Sequence, residues 1–554
     1  MSVIALMNMA REAMLNEQRA ITVTSHNMSN VNTEGYSRQS AIFTARKGAQ
    51  TYAGTIGQGC DITSIQRQHD QFIQTQINDE SSNTGRWETA NSILREIEIA
   101  LKQDESYGLN QAMNDFWNAW GDLANEPLGY TERSSLVSTA GRLAETFNLA
   151  PENLERLQQT LDVNIQTSVE EINSITKNIA TLNAQIFAAE TGDRQVANDL
   201  RDQRDSLVRD LSEYLDCDLV TDQDGHFNLF LKDGSTLVNG VYNWELKTDN
   251  FMPDSRFHDV EWENMGGDRK SVREVIGNGK LFSLIEQRDT YIPQVMEQVD
   301  LLAATVTLEL NKLHQQGYGA DGTSGNAFFS PLEVSAQALN DNNGNAAAEA
   351  SVYDIDQLAL HDYEVVFTAN DVVTVRDLTT GLDVVTGHNL TAEPTVFFNG
   401  IKMTFSGAPQ AGDSFTVSPV DDAAKKMSVS SEVLNDYDKI AASATGQDGK
   451  NQMALDIAAL QTKNTMLDGT VTFGEYLGKL IGDVGVRKLN AETNEQHHMD
   501  LMNQLDTMRE VVSGVSIDEE MVNLMQFQRA FQAAAKLISI ADEMYEDMLN
   551  TLQR

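Results

Sequence analysis

The side chains in this sequence that could do chemistry are few and poorly arranged for it. Ser25 and His26 adjoin like a nucleophile and its base, but successive helical residues do not face each other, and no G-x-S-x-G elbow surrounds the serine. Of the nine histidines, none sits in an H-E-x-x-H pattern. His497 and His498 lie in a polar helical stretch where their rings diverge, so a solvated surface is expected. Asp222-x-Asp224-Gly225 opens like a calcium loop but lacks the later acidic ligands and the terminal Glu, so it reads as a hairpin turn. Cys60 and Cys217 match no zinc or redox spacing, and small buried side chains are expected at both. The expectation is a chain with no enzymatic activity, cofactor or metal.

One hydrogen-bonding constellation remains. In "SHNMSNVNTEGYSRQ", residues 25–39, Asn27 and Asn30 share a helix face just before Asn32-Thr33-Glu34-Gly35, which fits a type I turn with Asn first and Gly last; Tyr36 follows. Amides at such positions can bond across to a neighbouring backbone and fix register in a packed assembly. A polar helix end running into a loop is the competing reading.

The elements that position these residues are helical at both ends. All eight prolines fall between 127 and 419, so long uninterrupted helices are expected at the termini and only there. At the C-terminus, Ser516 and Glu519 form a capping box, and Asp518, Glu519 and Glu520 put negative charge in the first turn. Leu524, Phe527, Phe531, Ala534, Ile538, Ala541, Tyr545, Met548 and Leu552 then alternate steps of three and four, which predicts a coiled-coil or bundle seam. A weaker stripe at the N-terminus, Val3, Met7, Ala10, Met14, Ile21 and Met28, is broken by Glu17 and Thr24 and offers a partner helix, parallel or antiparallel.

Between the ends, Pro151 is placed as a first-turn proline of a helix striped by Leu154, Leu161, Ile165, Ile172, Ile179 and Ile186. A second helix follows Gly192. After Cys217 the period changes to two, with Asp-Gly and Asn-Gly turns of hairpin type. Helical spacing returns over 292–315, a strand-rich stretch runs from 351 to 420, and helices resume near 425. The fold class expected is α+β multidomain: N- and C-terminal helices paired as a coiled coil or bundle, a helical middle domain, and β-rich outer parts. The domains expected are 1–60 with 500–554 (assembly), 61–216 with 279–319 and 425–499 (helical middle), 217–278 (β-rich excursion) and 320–424 (β-rich outer domain).

The net charge of −42 and pI of about 4.4 exclude a nucleic-acid surface, which needs clustered Lys and Arg, and disfavour an anionic membrane. Most of that acidity lies in the middle of the chain. No run approaches the roughly 18 apolar residues of a membrane span, and the N-terminus lacks a basic region before its apolar part, so neither membrane insertion nor a cleavable signal is expected.

"NMSNVNTEGYSRQ" resembles the N-terminal signature of the flagellar rod, hook and hook-associated proteins. The likeness to the hook-associated members continues in "ANDLRDQRDSLVRDLSEYLDCDLV", "DGHFNLFLKDGSTLVNG", "GKLFSLIEQRDTYIP", "GDSFTVSP" and the closing "GVSIDEEMVNLMQFQRAFQAAAKLISIADEMYEDML", and covers most of the chain in order. The resemblance implies a structural subunit at the junction between hook and filament, located extracellularly in the flagellum and exported by the flagellar type III route. It implies as partners copies of itself, the hook protein, the second hook–filament junction protein, an export chaperone and the export apparatus. Assembly contacts carried over are Asn27, Asn30, Asn32, Gly35 and Tyr36, with Leu524, Phe527, Phe531, Ile538, Tyr545 and Leu552. Glu34 stands where the family commonly has Pro. Another axial protein, of hook or distal-rod type, and a secreted adhesin with a ligand site in its β regions are the alternatives.

Each seam side chain contributes about 1.5–3 kcal/mol only when fully buried, whereas ordering each residue costs roughly 1–2 kcal/mol in backbone entropy. The terminal helices are therefore expected to be protease-sensitive in a dilute monomer and protected after assembly, a contrast that limited proteolysis of both states measures.

Overall fold

A computed structural model describes residues 3–552 except 53, 103–107, 192–195, 223–224, 250–255, 265, 340–341, 448 and 468. Helix α1 (Val3–Ser29) leads into a hairpin of β1 (Gln39–Ala45) and β4 (Cys60–Arg67), between which β2 (Ala49–Thr51) and β3 (Gly54–Ile56) pair as a small ribbon. Then come α2 (Gln71–Lys102), α3 (Leu109–Asn125), α4 (Tyr130–Glu190) and α5 (Asn198–Tyr214). The first β excursion has two antiparallel sheets. One contains β5 (Asp218–Thr221), β6 (Phe227–Phe230), β7 (Thr236–Asn239) and β8 (Tyr242–Asn243); the other has β10 (Asp259–Glu263) between β9 (Leu246–Asp249) and β11 (Arg269–Ser271). Helix α6 (Lys280–Glu286) continues through a π turn at Gln287–Tyr291 into α7 (Ile292–Gln316).

The outer β unit packs a five-stranded sheet, in the order β12 (Ser335–Ala338), β19 (Ser414–Ser418), β14 (Tyr363–Ala369), β15 (Val372–Asp377), β16 (Asp383–Asn389), against a three-stranded one, β13 (Ala347–Val352), β18 (Ile401–Ser406), β17 (Thr395–Phe398). Alternation puts Tyr363, Val365 and Phe367 of β14 and Phe415 and Val417 of β19 in its own core, with Ile401 and Met403 opposite. The chain returns through α8 (Ala423–Lys426), α9 (Ser431–Asn435) and α10 (Gln452–Ala458) to α11 (Phe473–Ser513) and α12 (Ile517–Leu552).

The longest helix is not at an end. Pro151 lies inside the 61-residue α4 rather than at the first turn of a helix, so the expectation that proline confines long helices to the termini fails. A helix-interior proline costs about 3 kcal/mol. Leu136, Leu143 and Phe147 before it, and Leu154, Ile165, Ile172 and Ile179 after it, are fully buried on one continuous stripe, and each such side chain contributes about 1.5–3 kcal/mol. One turn from the proline, Asn148 donates its amide to the carbonyls of Ala424, Lys425 and Met427, tying the return path to α4.

Two smaller expectations change and one holds. Cys60 and Cys217 are half-buried; burial pushes the Cys217 thiol up to about 12, so it stays protonated. His498 is not solvated surface: its Nδ1 lies 2.5 Å from Glu80 Oε1 on α2, while His497 is exposed. The 222–225 hairpin turn is present, with Gly225 N–H donating to Asp222 O and β5 pairing with β6, although Asp224 lies outside the described residues, as does Gly192.

The deepest part of the body is aromatic. Phe116, Trp120, Phe328 and Phe329 pack on one another, and Trp120 and Phe328 hold the ring of His314, whose Nδ1 faces Asn326 O at 2.8 Å and whose Nε2 accepts from Ala441 N–H at 2.9 Å. This pairing requires the neutral ring, and burial lowers the His314 pKa to about 4. A depressed histidine contributes stability that is present above the ordinary value of 6.5 and lost as pH falls through about 4, because the unfolded chain takes up the proton first. His314→Phe is expected to flatten the pH dependence of thermal unfolding between those values. It should also cost about 1–3 kcal/mol by stranding the Ala441 N–H, which denaturant unfolding of both proteins at neutral and acid pH tests.

Candidate assembly interface

The end of α1 is built around one amide. Asn27 is 1% exposed. Its Nδ2 donates to Gln39 O (2.8 Å) and Glu520 Oε2 (3.0 Å), and its Oδ1 accepts from the Tyr36 hydroxyl (2.8 Å) and Gln39 N–H (3.0 Å). Both donors and both lone pairs are thus used, within one chain, on three segments. Asn30 instead turns back on its own helix: Nδ2 donates to His26 O, and Oδ1 accepts from Thr33 Oγ1.

The turn differs from the one expected. Thr33 N–H bonds Asn30 O and Tyr36 N–H bonds Thr33 O, so two turns run 30–33 and 33–36 in place of a type I turn over 32–35. Gly35 has φ +77 as the third residue of the second turn, the type II requirement, which puts Glu34 where that turn favours proline. Asn32 is exposed. Burial, with Asp199, Asp202 and Glu520 nearby, pushes the Tyr36 phenol well above its ordinary value, keeping the hydroxyl a donor to Asn27.

Arg38 completes the joint. Its guanidinium reaches Glu520 Oε1 (Nε 2.9 Å) and Glu519 Oε2 (3.0 Å), and its backbone N–H donates to Ser513 O, the last residue of α11. Glu519 thereby gives its carboxylate to Arg38, while its N–H lies 3.5 Å from Ser516 Oγ; this is half of the expected capping box. Glu520 is 2% exposed, a buried carboxylate held by Arg38 and Asn27.

The loop after α1 and both strands of the β1–β4 hairpin fasten to α5. Ser37 N–H and Arg67 both bond Asp202, Arg67 also bonds Asp205 (2.5 Å), Gln39 bonds Asp199 (2.7 Å), and Asn198 donates to Ile65 O. The "NTEGYSRQ" and "ANDLRDQRD" stretches, remote in sequence, therefore touch. Sequence reasoning missed Arg38, Glu520, Asp202 and Arg67 as a group; the acid-rich first turn of α12 facing a lone Arg in the signature was the available signal.

Helix α12 runs antiparallel to α1, since the end of α1 meets the start of α12 and the two pack along their length. Leu524, Phe527, Phe531 and Ile538 are half-buried on this contact, Phe527 stacks on Phe43 of β1 at 6.3 Å, and Ala534 and Ala541 are buried between the helices. Tyr545 is 37% exposed, and the Leu552 side chain lies outside the described residues. On α1 the buried face is turned by one residue from the expected stripe: Asn16, Ala20, Val23 and Asn27 point inward with Ala10 and Thr24, whereas Glu17, Ile21 and Met28 are half-buried. The cause is the β1–β4 hairpin, which sequence reasoning missed; its backbone accepts the amides of Asn16 at Cys60 O and of Asn27 at Gln39 O, so polar residues hold the inward face.

A second apolar stripe of α12 is left partly exposed among the described residues. Leu537, Ile540, Met544 and Met548 are 39–50% exposed at helical spacing, and Val522 precedes them at 58%.

Four family descriptions match in order: flagella basal body rod protein over residues 7–36, flagellar hook-associated protein FlgK helical domain over 94–329, the D2-like domain of flagellar hook-associated protein 1 over 338–419, and flagellar basal body rod FlgEFG protein C-terminal over 512–552. Flagellar hook-associated protein 1 of Escherichia coli K12 is 27% identical over 556 residues, covering 99% of each chain, and that of Salmonella typhimurium is 28% identical over 570 residues with the same coverage. The chain belongs to the flagellar hook-associated protein 1 family. The Bacillus subtilis member is 26% identical over 98% of this chain and 97% of its own. The flagellar hook junction protein FlgK of Burkholderia pseudomallei shares the fold, with a TM-score of 0.65 and 20% identity over 79% of this chain and 100% of that one. The rod-type matches fall on α1 with its loop and on α12, the elements that the Asn27–Arg38–Glu520 joint ties together.

Removing Arg38 leaves Glu520 buried without a counter-charge, and breaking such a pair costs about 3–5 kcal/mol. Arg38→Ala is expected to raise amide exchange across α1, β1 and α12 while leaving α4 and α7 protected. Glu520→Gln, which keeps a hydrogen-bonding side chain and no charge, should cost less; hydrogen-exchange mass spectrometry of both variants measures the difference.

Proposed function

We propose that this protein is a non-enzymatic structural subunit of the bacterial flagellum, placed at the hook–filament junction and polymerising through its paired terminal helices. The observation that carries this reading is full-length similarity to hook-associated protein 1, joined to a terminal helix pair whose inner seam is half-satisfied and whose outer stripe is partly exposed. The partners proposed are neighbouring copies and hook-region proteins on either side; delivery by the export apparatus with a chaperone on α12, to an extracellular position and with no cleaved signal, belongs to the same reading. No helix among the described residues is long and apolar enough to cross a membrane.

Within this reading the carried-over residues divide by task. Asn27, Gly35 and Tyr36 build the joint that sets the angle of the helix pair, and Asn30 ends α1. Leu524, Phe527, Phe531 and Ile538 hold α12 on α1 and present their remaining exposed area to neighbours; Asn32 and Tyr545 face outward, and Leu552 is proposed as an end contact. The domain boundaries expected from sequence are kept as a proposal, with the terminal unit as the polymerising part.

Ile540→Glu with Met544→Glu is the test. Both side chains are exposed on α12, so the monomer should keep its circular dichroism spectrum while cells lose anchored filaments and release flagellin into the medium. Deletion of 516–554 should likewise abolish anchored filaments, although it also strips α1 of its partner helix. Normal swimming by the double variant would overturn the reading.

A further inference from the structure

Among the described residues, the methionines are sorted by depth. Met113, Met403, Met427, Met453 and Met466, in the body and the outer β unit, are 0–6% exposed. The most exposed, at 44–50%, are Met499, Met508, Met521, Met525, Met544 and Met548, and all of these lie on α11 or α12. Met544 and Met548 are one helical turn apart and belong to the partly exposed stripe of α12, with Leu537 and Ile540. Leucine would present much the same apolar volume at both positions. What the thioether adds is a sulfur lone pair open to solvent, which a mild oxidant can change.

Hydrogen peroxide is such an oxidant. The thioether lone pair attacks one peroxide oxygen, and the O–O bond breaks as the S–O bond forms. The departing hydroxide takes the proton from that oxygen and leaves as water; sulfur is oxidised by two electrons and the peroxide is reduced by two. The sulfoxide is polar and chiral where the thioether was apolar, and enzymatic reduction restores the thioether. Two sulfoxides a turn apart thus act on the stripe as two polar substitutions would, and reversibly. The buried methionines are out of the oxidant's reach, so the packing of the body survives the change.

We propose that Met544 and Met548 form a reversible oxidation site, and that their sulfoxides switch off the outer stripe of α12 for assembly. The site rests on exposure alone; the switch rests on the reading of α12 as an assembly surface.

Peptide mass mapping of the full-length protein during peroxide treatment tests the site. Met544 and Met548 should each gain one oxygen about tenfold faster than Met403 and Met453, with an unchanged circular dichroism spectrum; equal rates would overturn the proposal. Sedimentation with isolated hooks tests the switch, each protein being compared with itself before peroxide. Oxidation should lower the sedimenting fraction about tenfold, and methionine sulfoxide reductases of both epimer specificities should restore it. Met544→Leu with Met548→Leu should keep its own starting fraction after the same treatment, although Met499, Met508, Met521 and Met525 are still oxidised. Untreated protein that does not sediment with hooks overturns the assembly reading, and the switch with it. Untreated protein that sediments, and does so equally after oxidation, overturns the switch and leaves the assembly reading standing, as does loss of sedimentation in the oxidised leucine variant.

Discussion

The buried carboxylate of Glu520 is the constraint on which the terminal architecture depends. It is reached by Arg38 and by Asn27, 493 positions away along the chain, and it sits in the first turn of α12, where the helix dipole also favours negative charge. Apolar stripes alone leave two long helices free to slide by a turn at modest cost. An amide with every donor and acceptor used is satisfied in one register and stranded in the next, so the polar joint selects the alignment that the apolar seam then stabilises.

That joint is also where the terminal unit meets the body. Ser37, Gln39 and Arg67 are bound by Asp199, Asp202 and Asp205 on one face of α5, and α5 packs on α4. At 1.5 Å per residue the 61 residues of α4 span about 90 Å, so a local polar contact is carried along a stiff helix to the return segment held by Asn148. The division of labour follows from the chemistry. Saturated hydrogen bonds and buried ion pairs make the connections within the chain, while methionine, leucine and isoleucine on α12 stay exposed.

Much of the C-terminal helix was legible in the sequence because a three-four alternation of apolar residues in a proline-free segment has few other solutions. The helices at 198–214 and 292–316, the hairpins after Cys217 and the strand-rich stretch near 351–420 were legible for the same reason, as local periodicity. Pro151 misled because its local cost is real but smaller than the burial on both sides of it. The α1 stripe misled because hydrophobicity was used to find the inward face, and on α1 that face is held in part by Asn16 and Asn27.

The sequence by itself therefore determined the C-terminal helix, the helices at 198–214 and 292–316 and the strands after Cys217, that the two ends pair, and that no catalytic cluster announces itself, all of which follow from local pattern and composition. The rotation of α1, the antiparallel sense of the pair, the hairpin wedged beside it, the type II turn at Gly35 and the partnership of Arg38 with Glu520 were decided only by tertiary structure. A polar side chain carries no label for its partner. Whether Asn27 faces water or a buried carboxylate depends on backbone groups that are brought to it from the far end of the chain.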